Sequence, residues 1–187
     1  MHKKSTAFLA FVLMAVLVFT SLSWGAWKHW SAQREQVDQT LGTLSDMLTT
    51  RREVIANILT VAARHLPKDN ALILEIEDDK NILSGTQSLS LKAAANERLS
   101  RSARELLAVL AETPSLAADV RDSMYVNQML PQALEQSASM VQEAAYNIQA
   151  ESFNRRLSAS FSGALAGFLG VIPAQQFLPE PSQEVKP

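Results

Sequence analysis

Four carboxylates in one short segment are the densest group of residues in the sequence that could do chemistry. They are Glu75, Glu77, Asp78 and Asp79. Carboxylates at this density can hold a divalent cation, because hard cations prefer oxygen ligands. Their spacing is not that of an EF-hand loop, so we favour a solvated acidic helix face over a cation site.

The histidines do not extend this chemistry. His2, His29 and His65 are far apart, and none has another histidine three or four residues away, the spacing that places two metal ligands on one helix face. We therefore predict no metal site and no cofactor, and we interpret His65 as a helix-end residue.

Common catalytic patterns are missing as well. The sequence has no cysteine, no Gly-x-Ser-x-Gly elbow, no Ser-x-x-Lys catalytic context and no glycine-rich phosphate loop. A hydrolase would need a pocket that collects Glu, His and Ser from different helices. We predict that the protein is not an enzyme. With 17 Lys plus Arg against 19 Asp plus Glu, the net charge of −2 also argues against a nucleic-acid partner.

One N-terminal segment predicts how the chain is placed in the cell. From Ala7 the chain runs without a charge to Trp27, about 20 residues, which is the length of a bilayer-spanning helix. Lys3 and Lys4 precede it, so the positive-inside rule favours a cytoplasmic N-terminus. We predict a short cytoplasmic tail at 1–5, a single transmembrane helix at 6–27 and an extracytoplasmic remainder.

Two features qualify the membrane segment. Trp24, Trp27 and Trp30 follow it at three-residue spacing and are expected near one membrane interface, although one of them could begin the soluble core. A cleaved signal peptide is the alternative. Ser21 and Ser23 fit a cleavage site only weakly, so we favour an uncleaved anchor.

Everything after the anchor predicts helices, and no strand or hairpin signal stands out. The predicted helices are 28–66, ended by Pro67; 71–84, capped by Asp69 or Asn70 and ended by Gly85; 88–112; 114–129; and 130–161. The fold class is all-α: an N-terminal transmembrane helix followed by an elongated antiparallel four-helix-type bundle.

Apolar stripes at helical spacing predict the core of this bundle. On the first soluble helix they are Val37, Leu41, Leu44, Leu48, Ile55, Ile58 and Ala62; on the third, Ala95, Leu99, Ala103, Leu106 and Leu110; on the last, Leu134, Ser137, Val141, Ala144 and Ile148, then Tyr146, Phe153, Leu157 and Phe161.

The segment from Ser162 to Ile172 is apolar, rich in small residues and too short to be a second span. Gly163 and Gly167 could face a partner in lipid or protein, but we favour docking on the bundle's own surface. Four prolines follow, and we predict a disordered tail over 173–187.

Several motifs resemble those of the LemA family of bacterial membrane-anchored helical proteins. The family's Arg-x-Asp-Leu-Ile-Pro-Asn-Leu type motif is matched by the stretch from Arg51 to Ile58, with Ala56 in place of the proline. Its two Tyr-Asn dipeptides, seven residues apart, are matched by Tyr146-Asn147 and Phe153-Asn154. The apolar Ala/Gly/Phe segment that follows them in the family is also present.

The resemblance implies a short N-terminal tail, one membrane helix and a LemA-like antiparallel bundle over 28–172, in a family with no established active site. The motif residues are therefore our candidate site: Arg51, Arg52, Asn57, Tyr146, Asn147, Phe153 and Asn154. Our first hypothesis is structural, a ladder of polar contacts from Asn57 and Arg51 or Arg52 to the two later amides that fixes register. The alternative is a groove for a peptide or polar ligand, in which the amides are partly exposed.

We expect a noncatalytic scaffold or adaptor of the bacterial cell envelope, single-pass in the inner membrane with a periplasmic bundle. The expected partners are the lipid bilayer and other envelope proteins, and a homo-oligomer remains open. The alternative is an extracytoplasmic sensor or ligand-binding module. Because only a few residues precede the predicted span, such a sensor would signal through a partner.

Overall fold

Helices are the only regular elements in the part of the chain that the structure, a computed structural model, describes: residues 2–179, with side chains from Phe8 onward. The elements are α1 (His2–His65), α2 (Ala71–Ser84), α3 (Leu89–Ala111), α4 (Pro114–Ala118), α5 (Val120–Met124), a π-helical turn (Tyr125–Met129), α6 (Leu130–Gln142), α7 (Tyr146–Ala159) and α8 (Phe161–Phe168). The prediction of an all-α fold is confirmed.

The chain forms two compact units. Unit A contains the residues up to Thr40 together with Ile148–Gln175, and unit B contains Leu41–Asn147 together with the segment that begins at Gln176. One bundle was expected over residues 28–172. In the structure, residues 28–40 group with the apolar N-terminal segment, because α7 and α8 pack beside this part of α1 within unit A.

Unit A contains one helix region that is long and apolar enough to cross a membrane, the only such helix among the described residues. The apolar side chains from Phe8 to Trp24 are exposed, and the most apolar stretch has no buried residue. Trp30, by contrast, is only 4% exposed. Its ring meets Phe153 edge-on at 5.9 Å, and its Nε1 donates to Ser162 Oγ at 3.2 Å. One of the three tryptophans thus belongs to a core, the alternative that the sequence left open.

Unit B buries the predicted stripes. All five stripe residues of α3 are fully buried; Leu44, Leu48, Ile55, Ile58 and Ala62 of α1 are buried, and Leu41 is half-buried. Each buried leucine or isoleucine contributes about 1.5–3 kcal/mol relative to an exposed one. The caps also follow the sequence: Asn70 Oδ1 accepts from Leu72 N, and Ser88 Oγ accepts from Leu91 N. Capping explains why α2 and α3 start where they were predicted.

The region predicted as one helix over 114–129 is more broken than expected. Asp119 separates α4 from α5 and caps α5 through the amides of Arg121 and Asp122. The π-helical turn then leads into α6, where Leu130 N donates to Tyr125 O. Pro131 offers no amide proton, and its ring crowds the preceding turn. This crowding is the physical reason for the wider, π-helical turn before it.

The predicted long helix over 130–161 is also wrong. It is interrupted after Gln142 and after Ala159, giving α6, α7 and α8. Because the phase of the helix resets at each break, Ile148 and Phe161 of the predicted stripe are 73% and 77% exposed. Alanines at 144 and 145 favour helix, so local propensity does not explain the first break, and tertiary packing overrides it.

The short helix α8 follows the second break. Ser160 caps it by accepting from Gly163 N at 2.9 Å. A Cβ on Gly163 would lie 1.9 Å from Leu157 O, so only glycine fits there. Gly170, with φ of 95°, ends the helix in the left-handed region, and Val171 N donates to Ala166 O.

Candidate functional site

Asn154 on α7 holds an extended piece of the same chain in unit A. Its Nδ2 donates to Ala174 O at 2.8 Å, and its Oδ1 accepts from Ala174 N at 2.7 Å. Asn154 is half-buried and Ala174 is buried. One side-chain amide therefore satisfies both polar groups of one buried backbone residue.

Asn147 does the same in unit B. Its Nδ2 donates to Phe177 O at 2.8 Å, and its Oδ1 accepts from Phe177 N at 2.7 Å. The Phe177 side chain is buried. We call these two interactions the asparagine clamps. The predicted disordered tail began at residue 173; Ala174 and Phe177 are held by the clamps, whereas 180–187 lie outside the described residues.

Asparagine suits this role because its amide presents a donor and an acceptor side by side, as a peptide group does. Each clamp reproduces one rung of a β-ladder between a helix side chain and an extended strand. Aspartate has no donor and alanine has neither group. The two clamps thus recognise backbone and place no requirement on the side chains at 174 and 177.

The aromatic partners of the clamps are buried in the cores. Tyr146 is buried in unit B next to Asn147, and Phe153 is buried in unit A against Trp30. Packing of these two aromatic side chains therefore fixes the parts of α7 that carry Asn147 and Asn154.

Arg51 is the buried charged residue of the motif, in unit B. It is fully buried, and its guanidinium donates to Ser100 Oγ at 2.6 Å, Ser137 Oγ at 3.1 Å and Leu134 O at 3.3 Å. Burial, and then the positive charge of Arg104, lowers the pKa of Arg51 to about 10, although the negative charge of Glu135 acts in the opposite direction. Arg51 therefore stays charged at neutral pH. Its Nε has no hydrogen-bond partner among the described residues. Arg51 joins α1, α3 and α6 of unit B.

The other two motif residues contribute less. Arg52 is half-buried and Asn57 is exposed. The predicted ladder from Asn57 and Arg51 or Arg52 to the two later amides is wrong, because both amides bind backbone of the C-terminal segment and Arg51 binds serines and a carbonyl. The heptad spacing of the asparagines hinted at a shared role, but nothing in the sequence marked 174 and 177 as their partners.

A cavity of about 470 Å³ lies beside the Asn147 clamp in unit B. Polar residues of α3 and α6 line it together with Phe177: Asn96, Glu97, Ser100, Arg104, Glu135, Ser139 and Gln142. Arg104 and Glu135 pair on its exposed rim at 2.6 Å. The residues that line the cavity offer both hydrogen-bond donors and acceptors, but no buried nucleophile is in contact with a base among them.

The acidic segment is only partly the solvated face that we expected. Glu77 and Asp78 are exposed. Asp79, however, is buried and paired with Arg98 of α3 at 2.5 Å, and Glu75 accepts from Ser102 at 2.8 Å. Half of the cluster therefore ties α2 to α3.

His65 takes part in a cluster that the sequence did not reveal, since its partners lie more than fifty residues away. Its Nε2 is 3.0 Å from Asp122 Oδ2, and Arg64 Nη1 donates to the same carboxylate. Together with Asp119, these groups place three ligand-type atoms within 4.8 Å of one another. Hydrogen bonding from His65, and then from Arg64, lowers the pKa of Asp122 against the effect of burial. A cation would have to displace Arg64, so the arrangement is accounted for as an ion-pair network between α1 and α5.

Comparison with known proteins supports the family resemblance that the motif residues indicated. A search of curated proteins finds no match. The model of the LemA family, however, matches residues 40–187, a range that includes Arg51, both asparagine clamps and the apolar segment around α8. The chain belongs to the LemA family.

Proposed function

We propose that this protein is a noncatalytic helical scaffold or adaptor, anchored in the bacterial inner membrane by α1, with unit B on the extracytoplasmic side. The observation that carries the proposal is the use made of the motif's polar groups. Both asparagine amides and the guanidinium of Arg51 are spent on the chain's own backbone and serines. A motif used in this way holds a shape, which is what a scaffold requires.

The anchor part of the proposal rests on α1. Its segment from Phe8 to Trp24 exposes phenylalanine, leucine, valine and methionine side chains without a charge. Water would penalise such a surface, whereas a bilayer accepts it. Lys3 and Lys4 favour the cytoplasmic side for the N-terminus.

A candidate partner face lies on unit B. Val120 and Met124, one turn apart on α5, are 84% and 50% exposed. Residues four apart share a helix face, so together they present an exposed apolar spot. An envelope protein that binds the scaffold is expected to cover them.

Site-specific photo-crosslinking in cells tests the scaffold proposal. A photoreactive phenylalanine is placed at Val120 or at Met124 of the full chain, and at Leu91 as a matched exposed apolar control on α3. The proposal expects one membrane or envelope protein to crosslink from 120 and 124 and not from 91. Crosslinks that are equal at all three positions, or absent from all of them, contradict it.

The second candidate function is that of an extracytoplasmic ligand-binding module acting through a partner. The polar cavity beside Asn147 and Phe177 favours it. It predicts that a small polar molecule or peptide copurifies with the full chain and is lost in Ser139→Trp, which would fill the cavity. Native mass spectrometry of the two proteins decides between the candidates.

A further inference from the structure

Helix α8 has an apolar surface that its own unit leaves uncovered. Phe168 is 89% exposed, and Phe161, Leu169 and Ile172 are exposed as well. Gly163 and Ala166 on the opposite side are buried. No residue from Phe161 to Ile172 carries a charge. Docking of the segment within the unit, as expected from the sequence, thus accounts for Gly163 and Ala166 but not for the exposed large residues.

The position of α8 indicates what covers these residues. An apolar groove of about 560 Å³ in unit A is lined by Phe19, Trp24 and Trp27 of α1 and by Leu165 and Phe168 of α8. The hydroxyl of Thr20, which also lines the groove, donates to the carbonyl of Val16 in its own helix. The groove therefore offers a nearly pure hydrocarbon surface at the end of the apolar part of α1.

Helix length places this groove at a membrane boundary. Phe8 to Trp27 rises about 30 Å, the thickness of the hydrocarbon layer. Trp24 and Trp27 then stand where tryptophan is enriched, at the interface. Helix α8 is about 12 Å long, too short to span, but a short apolar helix with exposed phenylalanines can lie in that interface.

We propose that α8 is an interfacial helix that inserts Phe161, Phe168 and Ile172 into the leaflet at the Trp24 and Trp27 end of the α1 span. Lipid acyl chains then fill the groove between α8 and α1. This inference rests on the proposed membrane anchor. It adds a second point of lipid contact more than a hundred residues along the chain. Unit A is then held at the membrane by two elements.

Depth-dependent quenching tests the inference on the full chain, which has no cysteine of its own. Single cysteines replace Val16 in the span, Phe168 on α8 and Val120 on unit B, an equally exposed apolar control. Each is labelled with an environment-sensitive fluorophore and reconstituted in phosphatidylethanolamine and phosphatidylglycerol vesicles. Some vesicles carry lipids brominated near the top of the acyl chain, and others carry lipids brominated near its end.

The expected result is that the probe at 168 loses most of its fluorescence to shallow bromines, the probe at 16 loses most to deep bromines, and the probe at 120 loses none. Quenching at 16 without quenching at 168 overturns the interfacial helix and leaves the anchor intact. A lack of quenching at 16 overturns the anchor itself. A disulfide between two copies of unlabelled Phe168→Cys, formed in the same vesicles with added copper phenanthroline and molecular oxygen as the oxidant, assigns the face to a second copy of the chain and also overturns the inference.

Discussion

Units A and B use apolar residues in opposite ways. In unit B the stripes of α1, α3 and α6 are buried, and the charges that accompany them, Arg51, Asp79 and Asp122, have hydrogen-bond partners. In unit A a long series of apolar side chains on α1 and α8 stays exposed. Because exposed apolar surface is unfavourable in water, the buried stripes of unit B suit an aqueous environment, whereas the exposed residues of unit A suit the apolar phase that the proposed membrane anchor would supply.

The largest expected effect comes from unit B. Replacing Arg51 by alanine removes three buried hydrogen bonds and leaves a cavity between α1, α3 and α6, and we expect a loss of about 3 kcal/mol in the free energy of unfolding. Arg51→Met keeps the volume and should cost less. Chemical denaturation of the detergent-solubilised chain measures both. The exposed Arg101→Ala is the control, and an equal effect there would refute the structural role of Arg51.

Gly163 offers the next test, in unit A. Gly163→Ala forces a Cβ against the carbonyl of Leu157, so we expect a loss of about 1–3 kcal/mol. A Cβ on Gly167 meets no atom within 4 Å, which makes Gly167→Ala a matched control with little effect. Thermal unfolding of the two variants compares them. Equal melting temperatures would mean that α8 does not dock as described.

The asparagine clamps allow the two units to be compared directly. Asn154→Ala and Asn147→Ala each leave a backbone N–H and C=O unpaired, at a cost of about 1–3 kcal/mol. Hydrogen exchange should accelerate at Ala174 in the first variant and at Phe177 in the second. Aspartate at either position should be at least as harmful, since its carboxylate repels the carbonyl. Asn57→Ala, the exposed motif asparagine, should change neither rate.

The smallest expected effect is a pH dependence in unit B. His65 and Arg64 hold the pKa of Asp122 below its ordinary value. A lowered carboxyl pKa contributes stability that is present above the ordinary pKa and is lost as the pH falls through the folded one. We expect the free energy of unfolding of Asp122→Asn, measured by denaturation at a series of pH values, to fall less steeply at acid pH than that of the unchanged protein. An equally steep fall in both proteins would show that the network contributes nothing.

The sequence predicted elements where local chemistry decides and missed those set by distant contacts. The α3 stripe and the N-cap of α2 were correct because spacing and capping are local. The breaks at 143–145 and at Ser160 were missed, since alanine and serine there carry no strong stop signal.

The clamps illustrate the same limit at the site. Heptad-spaced asparagines are about 10 Å apart on a helix, and residues three apart on an extended chain span about the same distance. That match could have suggested an extended partner strand, but proline-rich composition pointed to disorder instead. His65 and Asp122 meet only through tertiary structure, which no spacing rule reveals.

Retention of the intact chain in the membrane is the decisive test of the proposed α1 anchor. Membranes from cells that express the full chain are washed with alkaline carbonate, and the retained protein is measured by intact mass. If α1 is an uncleaved anchor, we expect full-length protein that stays with the membrane after the wash. Protein released into the wash, or retained protein shortened at a site near Ser23, would contradict an uncleaved α1 anchor.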